Sequence, residues 1–307
     1  MRKFLLLLIL LNSFNNLWAQ YRSDLQGTPQ FVRNLLQDDF EPKQTIVETL
    51  LHESFSPDKF IQVNNIKHKE IWQYEENKAG GTDSTLFETI DYQYNSAGQI
   101  LQEEKCNKLN SSTYKYLYTY NGLGLVEKRT DYVKFDHKGP LKNYVSITEF
   151  AYNGSGQLTL NITYDADSVF HYSQKREFDS KGNVLKIARN SENKYLYISN
   201  VFHYNANNIL EKIDFMGPEK RINYSYTLKT DTAADKKIIT VLREGAPFRS
   251  YKYNNVQQCV QKVRYDYKDN EPYDVITKII YNPNGTVNTR LFYVNNEFKA
   301  SQKIFYK

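Results

Sequence analysis

The residues with the most versatile chemistry are the histidines and cysteines, and they are few and scattered. They are His52, His68, His137, His171, His203, Cys106 and Cys259. None stands at a zinc-ligand spacing from another. On a strand, adjacent carboxylates point to opposite faces and cannot act as an acid–base pair. The nucleophile-elbow, phosphate-loop, zinc-protease and dinucleotide signatures do not occur. The sequence therefore predicts a protein that is not an enzyme, with no catalytic residue, metal site or cofactor.

Two further features could bind a ligand. Asp165 and Asp167 form a short acidic loop, which lacks the remaining ligands of a dedicated calcium loop. Several tyrosines form stripes that could stack on a glycan or contact a protein. Alternatively, such stripes stiffen a sheet through cross-strand pairs worth roughly 0.2–1 kcal/mol each, and we favour this second interpretation. The candidate ligand-contact residues are Tyr114, Tyr116, Tyr118, Tyr195, Tyr197, Tyr265 and Tyr267.

An internal repeat determines which elements would position these side chains. The pattern is an aromatic, any residue, an aromatic, Asn or Asp, two variable residues, Gly, one residue and a branched aliphatic. It recurs with a period near 26 residues. A fixed period of this length is the signature of a repeat architecture. The anchor aromatics are Tyr94, Tyr120, Tyr152, Phe178, Tyr204, Tyr253 and Tyr281.

Each repeat predicts a β-hairpin. Alternating aromatics indicate a strand with one buried face. Asn at the first turn position bonds its own backbone, and Gly at the last adopts a positive φ. Gln257 replaces that Gly in one copy and predicts a different turn there. The turn residues are Asn95, Gly98, Asn121, Gly124, Asn153, Gly156, Asp179, Gly182, Asn205, Asn254, Asn282 and Gly285.

The repeat resembles the YD repeats of RHS and teneurin-type proteins, whose core is Tyr-Asp-x-x-Gly-Arg/Asn-Leu/Ile. The copy from Phe178 and Asp179 to Gly182-Asn183-Val184 comes closest, and the resemblance covers roughly residues 66–307. Asn replaces Asp in most copies, and the period is longer than that of the family. The resemblance implies a curved antiparallel sheet. It does not extend to cargo encapsulation, because eighteen strands are too few for a full shell.

The N-terminus predicts export. Arg2 and Lys3 precede an apolar run, and Ala19 supplies a cleavage site, so we interpret residues 1–19 as a signal peptide. Residues 20–60 form an N-terminal segment that we expect to be partly helical and to cap the first exposed strand edge. Residues 61–307 form the hairpin-repeat domain. The net charge of +5 is spread without Lys/Arg blocks, which gives no indication of nucleic-acid binding.

These observations predict an all-β fold. It is an antiparallel up-and-down meander of about 18 strands, curved into an open sheet or half-shell, with a short helical N-terminal cap. The expected function is an exported structural or binding scaffold at the cell envelope or outside the cell. It would contact a protein or glycan through variable loops and exposed tyrosines.

Two alternatives stay open. One is an enzyme whose site is assembled across repeats. The other is an outer-membrane β-barrel, which we disfavour because a lipid-facing side must be apolar. Here the positions opposite the aromatics hold polar residues, and the mean hydropathy is −0.68. We therefore expect a chain that does not span a membrane. The polar residues in question are Thr89, Asp91, Gln93, Glu177 and Lys252.

Overall fold

The computed structural model describes residues 58–76, 82–108, 111–135, 144–191, 198–217, 221–233, 236–268 and 271–307. These residues form one short helix followed by eighteen strands. The elements are α1 (Lys59–Val63), β1 (His68–Glu76), β2 (Thr82–Tyr94), β3 (Ile100–Asn107), β4 (Ser112–Tyr120), β5 (Val126–Phe135), β6 (Tyr144–Tyr152), β7 (Leu158–Asp165), β8 (Phe170–Phe178), β9 (Val184–Ser191), β10 (Ile198–Tyr204), β11 (Leu210–Met216), β12 (Ile222–Ala233), β13 (Lys236–Arg243), β14 (Ala246–Tyr253), β15 (Cys259–Lys268), β16 (Glu271–Tyr281), β17 (Val287–Val294) and β18 (Glu297–Tyr306).

The strands close into a barrel. Each strand pairs antiparallel with the next along the chain, and β18 pairs with β1 over seven residues, from Lys69↔Tyr306 to Glu75↔Ala300. Backbone hydrogen bonds complete this seam, because the amides of Lys67 and His68 both donate to the Lys307 carbonyl at 2.9 Å. The prediction of an all-β up-and-down meander of about 18 strands is confirmed. The prediction of an open sheet or half-shell is wrong, because the last strand hydrogen-bonds to the first.

Closure also corrects the expected helical cap. A closed ring has no exposed strand edge for a cap to cover. Most of residues 20–60, like the predicted signal peptide at 1–19, lie outside the described residues. The short helix α1 instead packs against the inner face of the barrel, where Ile61 is buried at 2% exposure. No helix in the described part of the chain is long and apolar enough to cross a membrane.

The uniform turns form one rim of the barrel, which we call the uniform rim. In six of the turns the first side chain accepts two backbone amides. Asn121 Oδ1, for example, accepts from Leu123 and Leu125 at 3.0 Å. The glycines have φ between 76° and 85°, and the strand register shifts by one residue just before each anchor, as in a glycine-closed bulge. Gln257 adopts the same turn with φ 59°, so the prediction of a different turn there is wrong.

The anchor tyrosines join successive hairpins. Tyr120 Oη donates to the Ile100 carbonyl at 2.6 Å, and Tyr152 Oη donates to the Val126 carbonyl at 2.7 Å. The acceptor each time is the residue at the branched-aliphatic position of the preceding unit, which in one copy is Cys259. The same bond recurs in Tyr204 to Val184, Tyr281 to Cys259 and Tyr306 to Val287.

The two faces of the barrel wall differ in polarity along its height. Near the uniform rim the inward side chains are apolar and almost inaccessible, such as Ile100, Ile213 and Tyr251 at 0% exposure. The outward ones there are mostly polar or charged, with Leu101, Leu185, Ile280 and Phe305 as exposed apolar exceptions. Farther from that rim, aromatic and other uncharged residues become common on the outward face, with Lys115, Lys134 and Asp274 as charged exceptions. The uncharged residues include Trp72, Tyr132, Ile147, Tyr164, Val263, Tyr265, Ile276 and Tyr293.

This arrangement corrects the expectation that the chain does not span a membrane. A β-structure can lie in a bilayer only if every strand edge is paired, and the closed ring meets that requirement. The polar residues that argued against a barrel lie on the outward face, but most sit beside the uniform rim. Gln93, Glu177 and Lys252 each immediately precede an anchor aromatic. They do not represent the outward face farther up the wall.

Candidate functional site: the polar inner wall

Charged residues also lie on the inward face of the barrel, where they pair directly with buried aromatics on neighbouring strands. Tyr92 pairs with Glu103, Glu103 with Tyr116, and Tyr116 with Asp131, so all four share one face. Paired residues on adjacent strands have side chains on the same side of the sheet. In the neighbouring row, Tyr118 pairs with Arg129. The inner wall is therefore apolar at the uniform rim and becomes polar with distance from it.

On β3–β5 the inward charges are compensated within the wall. Arg129 donates to Asp131 through Nε at 2.6 Å and Nη2 at 2.7 Å, a bidentate ion pair. Lys105 Nζ lies 3.8 Å from Glu103 Oε1. The Arg129 guanidinium also stands 5.5 Å from the Tyr116 ring centroid, within cation–π range. This part of the wall holds opposite charges in balance.

Inward charges also occur on β14 and β15, where the cations outnumber the carboxylates. Arg249 pairs in register with Arg264, and Arg264 Nε donates to Asp266 at 2.6 Å. Lys262 pairs with Tyr251 and is only 3% exposed. The buried Lys262 and the half-buried Arg249 and Arg264 thus continue the charged lining around the ring.

A different polar group lines the inward face of β6–β10. Arg176 donates to Asn161 Oδ1 at 2.9 Å and to Gln174 Oε1 at 3.2 Å. The hydroxyls of Thr148 and Thr163 lie 2.9 Å apart. All five of these residues are at least nine-tenths buried. We call Asn161, Gln174, Arg176, Arg189 and Asn200 the β7–β10 patch.

The outward face carries a Ser–Asp–His cluster that cannot act as a nucleophilic relay. His203 Nε2 lies 2.8 Å from Asp214 Oδ2, and Lys212 Nζ lies 2.9 Å from Asp214 Oδ1. Ser225 Oγ donates directly to the same carboxylate. In a catalytic triad the histidine must stand between serine and carboxylate. Here the carboxylate is central, so the cluster is an ion pair with a hydroxyl bonded to it.

The predicted ligand-contact tyrosines do not lie together. The stripe Tyr114, Tyr116 and Tyr118 faces the interior, and Tyr118 is 6% exposed. Tyr265 faces outward in register with Asp274, and Tyr267 pairs with Pro272. Tyr195 and Tyr197 lie outside the described residues. The candidate contacts thus fall on both faces of the wall.

The remaining chemical candidates take structural positions. Asp165 Oδ1 accepts the amides of Asp167 and Val169 at 2.9 Å, which makes the acidic loop a turn of the uniform type. No cluster of metal-binding side chains occurs in the described ranges. Cys259 is buried, Cys106 is half-buried, and both are free thiols.

The polar inner wall was missed at the sequence level, although a signal for it was present. Glu103, Arg129 and Arg176 stand at the positions whose register partners are buried aromatics or aliphatics. Alternate residues of a strand face the same side of the sheet. Charged residues an even number of positions from a buried aromatic would therefore have indicated a polar interior.

Comparisons with known proteins identify no family. No protein-family description and no curated protein matches the sequence. Among solved structures, a porin-like protein from Bacteroides uniformis aligns at TM-score 0.42 and 11% identity, over 79% of this chain and 96% of that one. The TcdB2-TccC3-Cdc42 structure aligns at TM-score 0.27 and 12% identity, over 69% of this chain and 15% of that one. A DUF1329 family protein from Desulfovibrio piger aligns at TM-score 0.18 and 10% identity, over 81% of this chain and 87% of that one.

Proposed function

We propose that this protein is a non-enzymatic β-barrel of the cell envelope, exported by its signal peptide and embedded in the outer membrane. Its hairpin unit is, in this proposal, a variant of the YD repeat. The observation that carries the proposal is the closure of all eighteen strands into one ring. Closed barrels are the β-structures that can span a bilayer, because all of their backbone polar groups are hydrogen-bonded within the sheet.

Outward aromatic residues support a location in lipid. Trp72, Tyr132, Tyr164, Tyr265 and Tyr293 lie on the outward face away from the uniform rim, and we call them the outer aromatic belt. Trp and Tyr are enriched at the membrane–water interface. We propose that this half of the wall contacts lipid.

The opposite half of the wall remains in water in this proposal. Its outward face carries charged residues such as Asp91, Glu149, Lys175 and Lys186. At the bilayer midplane a lipid-facing Lys costs about 2–4 kcal/mol. A position near the uniform rim keeps these groups out of the hydrocarbon. The apolar inner face at that rim, where Ile61 of α1 belongs to the apolar cluster of β2–β6, suits a closed end rather than an open pore.

The fluorescence of Trp72 tests this proposal. The sequence contains only Trp18 and Trp72, so residues 20–307 carry one tryptophan. We expect its emission to shift to the blue and to be quenched when the folded protein is mixed with vesicles of lipids brominated on their acyl chains. A matched control combines Trp72→Tyr with Leu101→Trp, which moves the reporter to an outward position near the uniform rim. That variant should show no quenching.

Fractionation supplies the second measurement. The full-length chain, expressed in a Gram-negative host, should be recovered with the outer membrane and require detergent for extraction. A protein that stays in the soluble fraction, with Trp72 emission unaffected by vesicles, would contradict embedding in lipid.

A further inference from the structure

Two lysines on the outward face lie over tyrosine rings. Lys278 Nζ is 4.5 Å from the centroid of the Tyr293 ring, and Lys303 Nζ is 5.2 Å from the centroid of the Tyr74 ring. Both distances are within cation–π range. Both lysines are exposed, and neither forms a hydrogen bond or an ion pair with another residue in the described ranges. Each tyrosine therefore helps to position an ammonium group whose N–H donors bond nothing in that part of the chain.

Two other lysines of the outward face have carboxylates beside them. Lys212 Nζ lies 2.9 Å from Asp214 Oδ1. Lys115 pairs in register with Glu104 on the neighbouring strand. Their charges are balanced within the wall, in contrast to those of the two lysines over tyrosine rings.

Carboxylates on the strands that carry these two lysines and their tyrosines are bonded to other cations or lie farther away. Glu70 on β1 accepts a hydrogen bond from Lys307 at 2.8 Å, and Glu297 on β18 accepts one from Lys299 at 2.6 Å. Asp274 lies four residues along β16 from the lysine of that strand, about 13 Å away. The two ammonium groups thus give this part of the outward face a local positive charge.

Each lysine lies on the uniform-rim side of the tyrosine that it contacts. Lys303 is in register with Trp72, and Tyr74 lies two residues farther from that rim. Lys278 is likewise in register with the residue two positions before Tyr293. If the belt of outward aromatics marks the membrane–water interface, the rings lie toward the lipid and the ammonium groups lie toward the water. That is the depth of the lipid headgroups.

The two lysines lie on opposite sides of β17, close enough to act together. Lys303 pairs with Thr289 and Lys278 pairs with Leu291. Two strand spacings and an offset of two residues separate their Cα atoms by about 12 Å. Because lysine has a flexible four-carbon stem, both ammonium groups can reach one headgroup.

We infer that Lys278 and Lys303, with Tyr293 and Tyr74, bind the phosphate of an anionic lipid headgroup. We call these four residues the lysine–tyrosine patch. The inference rests on the proposed function, which places the barrel in lipid. Lysine binds phosphate as a point charge with three rotatable donors. Each lysine beside an anionic membrane surface strengthens binding about fivefold.

Trp72 can report which lipid lies beside the patch, because it is in register with Lys303. Folded residues 20–307 are placed in bilayers of equal parts phosphatidylcholine and phosphatidylglycerol, with bromine on the acyl chains of one lipid or the other. We expect brominated phosphatidylglycerol to quench Trp72 more strongly, with a preference of at least about fivefold. Equal quenching by the two lipids would overturn the inference while leaving the barrel in lipid. Absence of quenching by either lipid would overturn the proposed function and the inference together.

Substitutions separate the patch from a general effect of net charge. Lys303→Gln and Lys278→Gln should each lower the preference for phosphatidylglycerol, and the double variant should abolish it. Lys303→Arg keeps the charge and should keep the preference. Lys175→Gln removes an equal charge from the outward face of β8 and should leave the preference unchanged. Equal losses from Lys175→Gln and Lys303→Gln would overturn the inference.

Inorganic phosphate distinguishes a lipid headgroup from a soluble anion. At equal ionic strength, sodium phosphate and sodium chloride should lower the preference to the same extent, because the lipid is also held through its acyl chains. Selective loss of the preference in sodium phosphate would assign the patch to a soluble anion and overturn the lipid as its ligand.

Discussion

At the scale of single residues, the abundance of tyrosine has a specific cause. The chain contains 26 tyrosines, and the repeat needs more from its anchor than an aromatic ring. The hydroxyl of Tyr120 reaches the Ile100 carbonyl of the preceding unit at 2.6 Å. Phenylalanine would fill the same space and leave that carbonyl without the bond. The anchor therefore joins hairpins as well as filling the interior.

Tyr120→Phe should lower the free energy of unfolding by about 1 kcal/mol, the usual contribution of one such hydrogen bond. Chemical denaturation measures the difference. Phe178 is the natural anchor without a hydroxyl, so Phe178→Tyr is the converse variant and should be neutral or stabilising. Equal stability of Tyr120→Phe and the parent would show that the hydroxyl contributes nothing.

At the scale of the element, the turn conformation does not require Gly at its last position. Asn254 accepts the amides of Val256 and Gln258 although Gln257 stands in the glycine position. Gln257 has φ 59°, in the left-handed region that disfavours side chains with a Cβ. Where the first turn residue is an Asp, the same hydrogen bonds stabilise its charged form. Hydrogen bonds from the side chain and the backbone amide of Asn183 lower the pKa of Asp179.

Gln257→Gly should stabilise the protein by about 1 kcal/mol, because a non-glycine residue costs roughly that much in the left-handed region. Thermal unfolding provides the readout. Gln258→Gly is the matched control, since Gln258 is absent from the residues with positive φ, and it should not stabilise. A lower melting temperature for Gln257→Gly would mean that the Gln side chain has a role of its own.

Local features were predictable from the sequence, and so was the presence of charges on the inward face, but closure and the composition of the β7–β10 patch were not. Strand alternation and the Asn-x-x-Gly turn depend on residues close in sequence, such as Tyr94, Asn95 and Gly98. Closure depends on the tilt and stagger accumulated over all strands, and no single residue encodes them. The β7–β10 patch requires the register of β7–β10, which places Asn161 beside Gln174 across a turn.

At the scale of the whole molecule, closure makes the first and last strands neighbours. Tyr74 pairs with Ser301 across the seam, and both face outward. Paired Cα atoms in an antiparallel ladder lie about 4.5–5.5 Å apart. That separation falls within the range that a disulfide can bridge.

A disulfide across the seam tests closure directly. In a Cys106→Ser background, the double variant Tyr74→Cys with Ser301→Cys should oxidise to an intramolecular disulfide, visible as faster migration on non-reducing gels. The control pairs Tyr74→Cys with Leu291→Cys, one strand farther along the ring, at about 10 Å for two strand spacings, and should stay reduced. Failure of the seam pair to oxidise in folded protein would indicate an open sheet.

The seam also imposes an order on folding. Seventeen of the eighteen strand pairs join consecutive strands, so these contacts can form as each hairpin leaves the translocation machinery. The remaining pair joins residues more than two hundred positions apart, such as Lys69 and Tyr306. Loop-closure entropy grows only with the logarithm of length, by about 0.6 kcal/mol per doubling. Closing the ring therefore costs little additional loop entropy, but the ring stays open until β18 arrives. Until then both β1 and the newest hairpin present unpaired edges, and the time spent in export is the period when the chain is most exposed to aggregation.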